Sequence, residues 1–346
     1  MSAEQCVGFP QPEDQKLSKP ADILPLLSID SEYDACNEVQ TLIVGSHEGL
    51  RRIPVYSIRN SKSHPDISRA IASGKPIAFE VGVIGILIAV SASADEGNDN
   101  GSKFWTIKKG RSPNDRVPMM LRPKDHPKVV DYNKLHPDFR YLADDKEARE
   151  RFYGNLPLHT ILPVRTDTET INRQVFVTTP TDLQGKPTDQ YVPCPTVCLY
   201  FQDDEDWMNI AEQAHQLNPN VMFGITSFND HGQPSPFNFN ELLEYVQRRG
   251  KVDFEAVVRD PIVEKADIRS SHTQIRLPLE GEAPEILIVR KGPVSADAIR
   301  ETTGHPVRVL ESAKLAGRGH PDDVDLYSRV VSYLEAARMN ISIRKK

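Results

Sequence analysis

The apolar positions of this chain fall into short runs separated by polar turns, and the period of the pattern changes from one run to the next. Residues 1–40 mix Pro, Asp, Glu and Ser without periodicity, the composition of a loosely ordered extension. Thr41 to Gly45 is the first run with strand character. Between His64 and Ser73, Ile67, Ala70 and Ile71 recur at helical spacing, and Gly74-Lys75 stops the helix. Pro76 to Ser93 is almost continuously apolar. Its β-branched content, with glycines at 82 and 85, predicts buried strands with a close backbone turn and argues against a membrane helix.

Beyond the turn cluster Asp95–Gly101, Phe104 to Lys109 is a short helical segment. From Arg122 to Arg151 the chain is polar and broken by prolines, which predicts a surface insertion with a charged helix around Asp144–Arg151. The second half alternates. Strands are predicted at Pro195–Phe201, Val221–Ile225, Ala256–Arg259 and Glu285–Arg290. Between them, Trp207, Ile210, Ala211, Ala214 and Leu217 share one helical face, Glu241–Arg249 is a helix, and Ser295 caps another that holds Ala298 and Ile299. The alternation predicts an α/β domain over 41–310 with an insertion at about 123–151, followed by a helical extension over 311–346.

Composition narrows the class of protein. At 346 residues, with 38% hydrophobic and 26% charged, the chain buries a sizeable core. A net charge of -7 argues against binding to extended nucleic acid, which needs many phosphate-neutralising cations. The four cysteines, Cys6, Cys36, Cys194 and Cys198, are too scattered for a disulfide framework and fit a reducing compartment. Cys194 and Cys198 have no second Cys/His pair at zinc-site spacing, so buried thiols are expected and no metal ligand set is. The first residues lack a basic start and an apolar core, and no run of eighteen apolar residues occurs; a cytoplasmic protein without a membrane span is expected.

The familiar phosphate-loop, dinucleotide, nucleophile-elbow and zinc-protease motifs are missing from the sequence. Four segments instead place small, polar and cationic residues at the ends of apolar strands. Lys108-Lys109-Gly110-Arg111-Ser112-Pro113 has the cations for clamping a polyphosphate, although the same residues also suit a solvated turn. Thr226-Ser227-Phe228-Asn229, running on to Ser235, can present hydroxyls and backbone N–H groups to a phosphate or ribose, or form an ordinary Asx- and Ser-rich turn. Arg269 to Arg276 includes His272. Arg290-Lys291-Gly292-Pro293-Val294-Ser295 leads from a strand to a helix N-terminus, where an anion is favoured.

In this order the segments resemble the YrdC-like superfamily of threonylcarbamoyl-adenylate synthases and carbamoyl-transfer domains. Lys109-Gly110-Arg111 with Pro113 is similar to its Lys-x-Arg-Pro element. Thr226-Ser227-Phe228-Asn229 with Gly232 and Pro234-Ser235-Pro236 is similar to its Thr-Ser-Ala-Asn run. His272-Thr273-Gln274-Ile275 falls at its Ser-Thr-Val-Val, and Arg290 to Ser295 at its Arg-Pro-Gly-x-Val-Ser. Gly154 to Pro163 is similar to its Pro-Gly-Pro-x-Thr-Leu segment, with Pro195-Thr196-Val197 as the strand after it. The resemblance covers about residues 60–305 and implies a twisted mixed sheet with flanking helices and a concave cavity. It implies ATP and Mg²⁺ as cofactors and a small amino-acid-like acceptor with bicarbonate as partners. Lys109, Arg111, Thr226, Ser227, Asn229 and Arg290 would then hold the nucleotide and its phosphates.

The acceptor side departs from that pattern. Where the family has Pro-Thr-Glu-Thr-Val-Tyr-Gly-Leu, this chain has Phe79-Glu80-Val81-Gly82-Val83-Ile84-Gly85-Ile86, and Phe228 and His272 replace an alanine and a serine. Gly82, Ile84, Phe228 and Thr273 are therefore expected to line a remodelled substrate pocket. Glu80 or His272 would act there as acid or base in a nucleotide-independent reaction. An ATP-dependent enzyme that forms or transfers a carbamoyl- or acyl-adenylate is the first expectation. A nucleotide-independent reaction on the same fold and a catalytically silent nucleotide- or RNA-binding module are the alternatives.

Overall fold

The structure, a computed structural model, describes residues 40–46, 49–80, 84–91, 117–154, 156, 158–165, 171, 176–178, 196–200, 204–229, 235–249, 252, 254–262 and 272–315. In chain order the elements are β1 (Gln40–Ser46), β2 (Gly49–Ser57), α1 (His64–Ala72), β3 (Ile77–Glu80), β4 (Ile84–Ser91), β5 (Met119–Met120), α2 (Lys146–Gly154), β6 (Leu158–Pro163), β7 (Val177–Thr178), β8 (Thr196–Tyr200), α3 (Glu205–Leu217), β9 (Val221–Ser227), α4 (Phe239–Arg249), β10 (Ala256–Arg259), β11 (Thr273–Arg276), β12 (Ile286–Lys291), α5 (Ala296–Thr303) and β13 (Val307–Leu315). The strands form one mixed sheet in the order β1-β2-β10-β3-β4-β9-β5-β8-β6-β11-β12-β13, with β7 paired to β8. The α/β architecture read from the alternating pattern is the one observed. β13 crosses position 310 and pairs parallel to β12 as far as Leu315.

Pro76–Ser93 does form two buried strands. Ile77–Glu80 and Ile84–Ser91 pair antiparallel, with Phe79 opposite Gly85. The glycine is required by close approach: a Cβ at Gly85 would lie 2.8 Å from the Phe79 ring and 3.2 Å from the Thr226 carbonyl oxygen. One face of this region carries α1 and α3, whose Ile67, Ile71, Trp207, Ile210 and Ala214 are buried against Phe79, Leu87, Phe223 and Ile225. Asp204 starts α3 by accepting hydrogen bonds from the backbone N–H groups of Asp206 and Trp207 at 3.0 and 3.2 Å. Leu217, expected on the buried face, is 57% exposed in the last turn.

The other face is closed by α4 and by the segment expected as a surface insertion. That expectation is corrected by the structure: within 123–151, Leu135, Phe139 and Leu142 are completely buried, and Val130 and Leu135 bridge to Val164 and Leu279. Short 3-10 turns at Pro123–Lys128, Tyr132–Lys134 and Pro137–Leu142 turn the apolar side chains inward. The buried Arg149 of α2 fastens the segment by donating to the carbonyls of Pro123, Leu142 and Ala143 at 3.1, 2.7 and 2.6 Å.

Candidate functional site

The pairing register lines up a row of residues across the sheet. Ala89 of β4 lies opposite Phe223, Phe223 opposite Met120, Met120 opposite Tyr200, Tyr200 opposite His159, His159 opposite Gln274, and Gln274 opposite Arg290. Directly opposed residues share a face. The first half of the row is apolar and buried beneath α1 and α3. From Tyr200 onward the same face turns polar, and Cys198, Gln274 and Arg290 along it are half-buried.

Ring and hydrogen-bond contacts knit this polar stretch together. The His159 and His272 rings stack with centroids 5.0 Å apart, and Tyr200 stands edge-on to both, at 5.2 Å from His159 and 4.8 Å from His272. Arg290 donates through Nη2 to the His272 carbonyl at 3.1 Å, and Gln274 donates through Nε2 to the Cys198 sulfur at 3.2 Å. A register shift at Gln274/Ile275 lets Arg290 face Gln274.

The electrostatics follow from burial beside one cation. Burial, reinforced by Arg290, holds His272 down at about 3. Burial, then His272 and Arg290, holds His159 well below the usual imidazole range. Both rings are therefore neutral at pH 7, each with one N–H donor and one lone-pair acceptor. Burial pushes the Cys198 thiol up to about 11, so it stays protonated. Burial also raises the Tyr200 phenol and lowers the Arg290 guanidinium from its ordinary value. The result is a stretch of neutral donors and acceptors beside one arginine, suited to orienting a polar ligand and unsuited to nucleophilic attack.

His272 and Arg290 are thus brought together. Glu80 is not: β3 and β11 are six strands apart in the sheet, up to about 29 Å at 4.8 Å per strand. The Glu80 side chain is buried, with Oε2 accepting from the Asp260 backbone N–H at 3.0 Å. It adjoins a buried ionic group in which Arg59 meets Asp204, Asp206 and Asp260 at 2.7, 3.0 and 2.5 Å. The two candidates thus stand on strands six positions apart in the sheet order.

Thr226, Ser227 and Asn229 stand at the end of β9, five strands from β12, and the Ser227 hydroxyl donates to Asn229 Oδ1 at 2.5 Å. Two expected pocket residues belong to the packing instead. Phe228 is 2% exposed, edge-on to Tyr245 at 5.4 Å and Phe254 at 5.5 Å. Thr273 is fully buried, its hydroxyl donating to the Val294 carbonyl at 3.0 Å and accepting from the Val294 N–H at 2.9 Å. The Ile84 backbone starts β4 opposite Glu80. Lys109, Arg111, Gly82 and Cys194 lie outside the described residues.

His159 and Tyr200 were not singled out in the sequence. The visible signal for His159 is the polar pair His159-Thr160 interrupting the apolar run Leu158–Leu162, and only the register shows that His159 faces Tyr200 and Gln274. Among the described residues no three His, Cys, Asp or Glu side chains are placed to hold a metal ion. Among them no helix is long and apolar enough to cross a membrane. A groove of about 860 Å³ bordered by Arg52, Tyr56, Arg69, Lys75 and Leu217 holds none of the predicted site residues.

The sequence matches no protein-family model and no curated protein. Among solved structures, the chain is similar to P. abyssi Sua5 complexed with L-threonine, at 18% identity over 73% of this chain and 62% of that one, with a TM-score of 0.48. It is similar to E. coli YciO at 11% identity, over 69% of this chain and 93% of that one, with a TM-score of 0.42. It is similar to T. kodakarensis HypF at 12% identity, over 68% of this chain and 25% of that one, with a TM-score of 0.40. The chain thus spans less than two thirds of the length of the Sua5 chain. At these identities, and with TM-scores below 0.5, the likeness carries no conclusion about this chain's chemistry.

Proposed function

We propose that this chain, a YrdC-like protein in its fold, is an ATP-using enzyme that forms or transfers a carbamoyl- or acyl-adenylate on a small amino-acid-like acceptor. The observation that carries the proposal is the contact between Arg290 and the His272 carbonyl on the polar face at 3.1 Å. It joins two of the motif segments side by side and sets one cation among neutral donors. Catalysis there would consist of positioning and charge stabilisation, for which no protein nucleophile is needed.

In this reading Arg290 faces the charge that develops where the adenylate forms, and the neutral imidazoles, Gln274 and Tyr200 orient the acceptor. Ser227 and Asn229 offer oxygen atoms to the nucleotide end. Mg²⁺ would arrive with the phosphates of ATP, and Ser227 and Asn229 would offer oxygen atoms to it. Bicarbonate is the co-substrate of a carbamoyl-type product.

The test is pyrophosphate release from ATP and bicarbonate over a panel of amino acids. Acceptor-dependent release by the intact chain is expected. Arg290→Ala, with a far-ultraviolet spectrum like that of the parent, should lower it by about a hundredfold or more, the usual effect of removing one charge-stabilising donor. Binding of ATP without turnover for any acceptor would replace the enzyme by a nucleotide-binding module. Full activity in Arg290→Ala would remove the site.

A further inference from the structure

The face of β2 turned toward α1 is open at the edge of the sheet. Ile53 and Val55 belong to the core on one side of the strand, so Arg52, Pro54 and Tyr56 stand on the other. Ile43 and Thr41 of β1, opposite Arg52 and Pro54, share that side. The three β2 residues border the groove of about 860 Å³, together with Arg69 of α1, Lys75 beyond the end of α1, and Leu217 in the last turn of α3. Leu217 is 57% exposed there.

The charge of this groove is unbalanced. Its two bordering carboxylates are already engaged, Asp66 with Arg69 and Glu255 with Arg51, the latter pair at 2.5 Å. Arg52 and Lys75 are exposed, and among the described residues neither side chain meets a partner. Two free cations beside an exposed leucine suit an occupant that is acidic, with apolar residues interspersed.

One such segment is covalently attached. Between Pro20 and Val39 the chain carries Asp22, Asp30, Glu32, Asp34 and Glu38 and no Lys, Arg or His, with Ile23, Leu24, Leu26, Leu27, Ile29 and Tyr33 among them. The segment lies outside the described residues and runs into β1 at Gln40, which pairs with Val55, between Pro54 and Tyr56 of the groove. From that level Arg52 is about 10 Å back along β2, and ten residues of chain reach up to about 33 Å. Attachment at this point also supplies a local concentration on the order of millimolar, which a separate partner lacks.

We propose that the groove is the docking site of this chain's own segment 22–38, whose carboxylates pair with Arg52 and Lys75 while one of its apolar side chains covers Leu217. The site is at the sheet edge remote from the polar stretch and is independent of the reaction proposed above.

The test is zero-length carbodiimide coupling in the intact chain, mapped by mass spectrometry on an equal mixture of ¹⁴N- and ¹⁵N-labelled protein. Lys75 should couple to Asp30, Glu32, Asp34 or Glu38 within one molecule. The yield should fall as salt rises from about 0.01 to 1 M and the Debye length shrinks from about 30 to 3 Å. The fourfold variant Asp30→Asn, Glu32→Gln, Asp34→Asn and Glu38→Gln, with a far-ultraviolet spectrum like that of the parent, should acetylate faster at Lys75. The expected increase is at least about fivefold, the scale of one exposed ion pair, with the exposed Lys62 unchanged. Arg52→Glu, which leaves Lys75 in place, should lower the coupling yield.

Coupling only between differently labelled molecules would overturn the proposal and give the groove to a second copy. Coupling of Lys75 to Asp66 or Glu255 alone would also overturn it. So would a Lys75 acetylation rate that the fourfold variant leaves unmoved.

Discussion

The imidazoles of His159 and His272 lie nearly parallel, 10° apart, with their centroids separated by 5.0 Å. Two positive rings would repel one another there, and Arg290 repels both, so burial and this neighbour hold the pair neutral. Because each folded-state value lies below that of a free histidine, protons bind the unfolded chain more readily. The stability so conferred is complete above pH of about 6.5 and falls away as the pH drops toward 3. Each ring should cost roughly 1–2 kcal/mol between pH 8 and 5. Urea unfolding across that range should show a declining midpoint, with a shallower decline in His272→Gln; a variant as steep as the parent would contradict it.

Gly85 tests the sheet at the place where the close turn was expected. Its Cβ would come within 3 Å of the Phe79 ring and 3.2 Å from the Thr226 carbonyl oxygen. Gly85→Ala should destabilise the chain by about 1–3 kcal/mol, the usual cost of overpacking a core. Phe79→Leu removes the clashing ring edge, so the double variant should lose less than the sum of the two single changes. Strict additivity in thermal unfolding would mean that the two sites are not coupled.

Local pattern made much of this fold readable. β3, β4, α1, α3 and α4 are dictated by apolar period and by stop signals such as Gly74-Lys75, and each was visible in the sequence. The segment 123–151 reads as a surface insertion because its charges and prolines dominate the composition. Yet Tyr132, Leu135, Phe139 and Leu142 recur three and four residues apart, the spacing of a buried face, and Pro137 conceals it. The polar stretch is less accessible. It draws on β8, β6, β11 and β12, and only non-local pairing register can show that His159 and Arg290 share a face. Strand order likewise sets Glu80 six strands from His272, which no local pattern shows.

Arg59 anchors the far side of the sheet. Its guanidinium meets the carboxylates of Asp204, Asp206 and Asp260, with all four side chains at 9% exposure or less. Removing it would strand three buried acids, one of which also caps α3. Arg59→Ala is expected to cost about 3–5 kcal/mol, the penalty for breaking a buried ion pair from one side. Chemical denaturation measures this directly. A loss below about 1 kcal/mol, typical of exposed pairs, would show that the group is hydrated in solution.

Phe228 separates a core role from a pocket role. By its place in the Thr226–Asn229 motif it was expected to line the acceptor pocket, but its ring packs edge-on against Tyr245 and Phe254 on the α4 side of the sheet, opposite the polar row. A packing residue tolerates an apolar replacement of similar size and does not tolerate truncation. Phe228→Ala should therefore cost about 3–5 kcal/mol, whereas Phe228→Leu should cost far less. The leucine variant should also keep the parent's acceptor-dependent release of pyrophosphate. Retained stability with lost pyrophosphate release would return Phe228 to the ligand.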